Sequence, residues 1–115
     1  MTMSELGTAR TQFREAALNF WVALTEKDSD RANEETATCE RIVAEWAEKG
    51  RVLEFLQPLI KDADDEVRFA AASISLNYGA ADLGIPVLEG LRESSRGFIG
   101  PSAGLRLRKW TDEHQ

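Results

Sequence analysis

Apolar residues recur at helical spacing along almost the whole chain, and no segment sustains the period-two alternation of a strand. In the first periodic segment, Ser4 to about Thr25, the positions Phe13, Ala17, Phe20, Trp21 and Leu24 form one wide apolar stripe. Ser4 or Thr8 is suited to cap its start, and the polar run Glu26 to Ser29 reads as a turn. A second helix is expected from Asp28 or Asp30, with Cys39, Ile42, Val43, Trp46 and Ala47 as its stripe. Gly50 stands just beyond it, where a left-handed closing residue is usual. A third, shorter helix carries Val52, Leu53, Phe55, Leu56, Leu59 and Ile60. Pro58 inside it removes an amide and crowds the preceding turn, so a kink or early stop is expected.

The acidic run Asp62 to Glu66 supplies a turn and favourable charge for the start of a fourth helix, Asp65 to Tyr78. That helix is apolar on two sides, with Val67, Ala70, Ala71, Ile74 and Tyr78 on one and Phe69, Ala72 and Leu76 on the other. Such a pattern predicts a helix packed between neighbours, ended by Gly79. A fifth helix is predicted from Ala80 to Arg92 with Leu83, Val87, Leu88 and Leu91, interrupted by Pro86. Ser94, Ser95 and Gly97 make the next turn. A sixth helix should start near Pro101 and carry Ala103, Leu105, Leu107 and Trp110. Gly104 within it costs about 1 kcal/mol against alanine, which predicts a close helix contact there.

A shift of about 32 residues, or one fewer, lays the third and fourth helices on the fifth and sixth, a spacing in the general range of helical repeats. Leu56 then meets Val87 or Leu88, Leu59 or Ile60 meets Leu91, Val67 meets Phe98 or Ile99, and Tyr78 meets Trp110. The segment from Leu56 to Ala71, an apolar helix, an acidic turn, then Val67-Arg68-Phe69-Ala70-Ala71, resembles a HEAT repeat. With Asn33 early in the second helix and the tail Ser102-Ala103-Gly104-Leu105-Arg106-Leu107, most of the chain is similar to a bacterial family of uncharacterised small HEAT-like proteins (domain of unknown function two thousand and nineteen). The resemblance implies an all-α fold, a short HEAT-like superhelical stack of about three antiparallel helix pairs in one domain over residues 1–115, and no particular activity. It also implies that Arg68 pairs with an acid of a neighbouring turn (Asp62, Asp64 or Asp65) or contacts a ligand. Asn33 would hydrogen-bond a buried loop or line a binding groove.

Composition narrows the function. A net charge of −6 opposes general nucleic-acid binding, which needs clustered cations to displace counterions. The lone cysteine, Cys39, excludes an intrachain disulfide and suits a reducing, cytoplasmic setting. The start MTMSELGTAR lacks the pattern of a signal peptide, and no apolar run is long enough to span a membrane. The one histidine, His114, stands near the end of the sequence, away from any second ligand or nucleophile partner. The glycines at 97, 100 and 104 lack the strand and Lys-Ser or Lys-Thr of a phosphate loop. Glu34, Glu35, Glu40, Glu45 and Glu48 read as a solvated helix face. Asp62, Asp64 and Asp65 lack the glycine and distal glutamate of a calcium hand. No enzyme and no cofactor are expected.

Positive charge collects late, in Arg92, Arg96, Arg106, Arg108 and Lys109, with Trp110 among them. The expected function is therefore a non-catalytic protein–protein interaction module, in its sharpest form an inhibitor or immunity-type partner. The candidate contact residues are Asn33, Arg68, Arg106, Arg108, Lys109 and Trp110. Nucleic-acid binding through the basic sixth helix is one alternative, against the overall charge. Self-association through Phe20 and Trp21 is the other.

Overall fold

The computed structural model describes residues 4–94 and 97–114. Ser95 and Arg96, assigned above to a turn and to the basic region, lie outside the described residues. The described chain is all-helical: α1 (Glu5–Thr25), α2 (Ser29–Glu48), α3 (Val52–Leu56), α4 (Asp65–Ser75), α5 (Ala81–Ser94) and α6 (Ile99–Glu113). Two short 3-10 turns, Leu59–Lys61 and Leu76–Tyr78, complete it. The chain divides into two compact units, one ending at Leu59 and the other beginning at Ile60.

In the first unit the helix ends are set by local chemistry. Ser4 accepts from the Gly7 amide and Asp28 from the Arg31 amide, so each caps the helix after it. The end of α1 closes on a left-handed residue that is not glycine: Lys27 has φ 60°, and the Asp28 amide reaches back to the Ala23 carbonyl. Gly50, at φ 71°, closes α2 in the same way, with the Arg51 amide on the Trp46 carbonyl. α1 packs on α2, and α2 on α3. Their shared core holds Phe13, Ala16 and Ala17 of α1, Cys39, Ile42, Val43 and Trp46 of α2, and Phe55 and Leu56 of α3. Phe55 is its centre. Phe13 meets its ring edge-on at 5.9 Å, and Trp46 lies parallel to it with centroids also 5.9 Å apart. Lys49 and Arg51 cover Trp46, at 4.3 and 5.0 Å from the ring centre.

α3 ends at Leu56, just before Pro58, the early stop expected of that proline. The carbonyl it would have faced in a helix, that of Glu54, receives the Arg10 guanidinium instead, at 2.6 Å. The next, that of Phe55, takes the Nε of Arg10 at 3.1 Å. A cation from α1 thus closes a helix far along the chain from it. Two expected core positions are exposed. Leu24 lies in the last turn of α1, where the small Ala23 takes the buried place, and Leu53 faces away from Phe55 and Leu56 on the short α3.

Cys39 is buried beside the Phe13 carbonyl, with Sγ 3.8 Å from that oxygen. Burial, with smaller contributions from the charges of Glu35 and Glu40, pushes its thiol up to about 12 from 9.0. The folded thiol therefore keeps its proton where the unfolded thiol has lost it. The stabilisation is complete below pH 9 and is lost as pH rises toward 12, by about 1.4 kcal/mol per pH unit. Urea unfolding of the wild type and Cys39→Ala at pH 8 and pH 10 isolates this group from the other titrating side chains. The stability difference between them is expected to move by roughly 1 kcal/mol against the wild type at the higher pH. A difference that stays constant contradicts a buried, protonated thiol.

In the second unit α4 packs on α5 and α6, and α5 on α6. α4 ends in the 3-10 turn Leu76–Tyr78 and closes on Gly79 at φ 74°. Val67, Ala71, Ala72, Ile74 and Leu76 are buried with Leu88 and Leu91 of α5 and Ile99, Ala103 and Leu107 of α6. Three expectations need correction. α5 is not interrupted by Pro86 but runs through it. One hydrogen bond is lost, yet the Asp82 carbonyl that loses it belongs to an exposed residue, and Leu88 and Leu91 pin the remainder of the helix in the core. α6 begins at Ile99, ahead of Pro101, which still falls within the first turn, where no amide is needed. The tight helix contact is at Gly84 and not at Gly104. A Cβ on Gly84 would lie 2.3 Å from Ser75 Oγ and 2.5 Å from the Ala72 carbonyl oxygen, whereas one on Gly104 would only touch the stem of Arg92 at 3.4 Å.

Candidate interaction surface

The basic stretch of α6 separates into two sides. Ile99, Ala103 and Leu107 recur at one-turn spacing and point into the core, with Trp110 half-buried beyond them. Arg106 lies on this inner side. One of its amino groups donates to Asn77 Oδ1 at 3.0 Å and to the Ser73 carbonyl at 3.4 Å, and the other is buried. It ties α6 to the end of α4. Arg108 and Lys109 are exposed on the outer side. The Trp110 ring stacks on the His114 imidazole, with centroids 4.3 Å apart and planes 16° from parallel.

The outer side also carries an apolar row. Phe98 (77 % exposed) and Leu105 (62 % exposed) are the most exposed large apolar residues described. They stand two helical turns apart, or about 10 Å, with exposed Pro101 between them on the same face. Leu105 is thus not part of the core stripe, as expected above, because it lies opposite Ala103 and Leu107 around the helix. That opposition is present in the sequence spacing, since 103 and 105 differ by more than half a turn of helix. The exposure of Phe98 has no such signal, because Phe98 precedes the first turn and its direction depends on how the chain leaves Gly97.

The six predicted contact residues are divided between the two units. Asn33 is in the first unit, exposed near the start of α2, and the other five are in the second. Arg68 pairs with Asp65 one turn earlier in α4, while Asp62 Oδ1 accepts from the Asp64 amide at 2.9 Å, so these carboxylates shape the turn and helix start. Of the five in the second unit, only Arg108 and Lys109 share an exposed face, that of Phe98 and Leu105. Among the described residues, no three or more of His, Cys, Asp and Glu are grouped to hold a metal ion, and no helix is long and apolar enough to cross a membrane. Comparison with known protein families, with characterised proteins and with solved structures finds no match.

Proposed function

We propose that this chain is a non-catalytic protein-binding module that presents the outer face of α6 to a partner. One observation carries the reading: Phe98 and Leu105, with Pro101 between them, stand exposed in water on one side of one helix, beside Arg108 and Lys109. Covering them with a partner would remove apolar surface from water, at about 25 cal/mol per Å². The inward commitment of Arg106 favours this over the nucleic-acid alternative, which needs a broader row of free cations. The buried, protonated thiol of Cys39 is a poor nucleophile, which supports a non-catalytic reading.

The proposed architecture is HEAT-like, in keeping with the resemblance to the bacterial family. Support comes from burial at the same shift of about 32 residues: Leu56 and Leu88, Leu59 and Leu91, Val67 and Ile99, and Ala71 and Ala103 are all buried. In its sharpest form the module is an inhibitor or immunity-type protein that occupies its partner.

The test is affinity capture of the tagged chain from its native lysate with nuclease present, beside the double variant Phe98→Ser, Leu105→Ser. A stoichiometric protein partner is expected with the wild type and not with the variant, which circular dichroism should show to be folded. Retention of the same partner by the variant, or loss of all bound material to nuclease, defeats the proposal.

A further inference from the structure

We draw no further inference here: the strongest candidate, the apolar row of Phe98, Pro101 and Leu105 on the outer side of α6, stands among exposed charges of both signs, and nothing in the structure shows what covers it.

Discussion

Replacing Gly84 with alanine is expected to destabilise the second unit by about 3 kcal/mol, although glycine to alanine inside a helix ordinarily gains stability. The reason is geometric. Gly84 lies where α5 meets α4, and its added methyl would stand 2.3 Å from Ser75 Oγ, 2.5 Å from the Ala72 carbonyl oxygen and 3.3 Å from Leu76 Cδ2. The hydroxyl can turn away only by giving up its 2.7 Å hydrogen bond to that same carbonyl, in a site where Ser75 has no exposure. The carbonyl is backbone and cannot move without α4. Gly90, in the same helix, has nothing within 4 Å of its missing Cβ. Gly90→Ala should therefore gain roughly 0.5–1 kcal/mol, the ordinary helix preference. Urea unfolding of the two variants, monitored by circular dichroism, should show shifts of opposite sign. A stabilised Gly84→Ala would mean that α4 and α5 do not approach as described.

The second large effect is in the first unit. Phe55→Ala is expected to cost about 3–5 kcal/mol, a large part of the roughly 5–15 kcal/mol that holds a typical domain folded. Phe55 is fully buried, and two other rings depend on it: Phe13 contacts it edge-on and Trp46 lies parallel. Truncation removes the ring and both aromatic pairs, each worth about 0.5–1.5 kcal/mol beyond its area. It leaves a cavity that α3 is too short to close, since Arg10 holds its end by the Glu54 and Phe55 carbonyls. Phe55→Leu keeps most of the volume and should cost about half as much or less. A loss below about 2 kcal/mol for the alanine variant, small for a buried ring, would remove Phe55 from the centre of the core.

What the sequence reveals, and what it withholds, divides by range. Ser4, Asp28, Gly50 and Gly79 are legible because a cap or a closing residue acts on amides and carbonyls a few positions away. Pro58 and Pro86 are identical in local chemistry. Buried apolar residues follow both, Leu59 and Ile60 in one case and Leu88 and Leu91 in the other, yet the chain turns into a 3-10 segment after Pro58 and continues as helix after Pro86, a difference that local chemistry does not supply. The role of Arg10 is invisible in the sequence because its acceptors are 44 and 45 positions away. The closing position at Lys27 escapes a sequence reading because the usual signal there is glycine. For the interaction surface, Arg108 and Lys109 are legible as charge. Arg106, just before them, carries the same charge but serves the core, a distinction that helical phase supplies and composition does not. The apolar half of the surface reads as core at Leu105 when hydrophobicity alone is followed, although the spacing from Ala103 and Leu107 places it on the other side.

The placement of the indole rings has an optical consequence. Trp46 is enclosed in the first unit between Phe55 and the cations Lys49 and Arg51, while Trp110 sits on α6 with one face against an imidazole. The three indoles have unlike surroundings: Trp46 is dry and flanked by positive charge, Trp21 on α1 is half-buried and edge-on to Phe20, and Trp110 is half-open to solvent at the end of the inner side of α6. Their emission differs in colour and in access to dissolved quenchers. Trp110 is the one tryptophan of the second unit and so labels it alone, whereas the first unit emits from both Trp21 and Trp46.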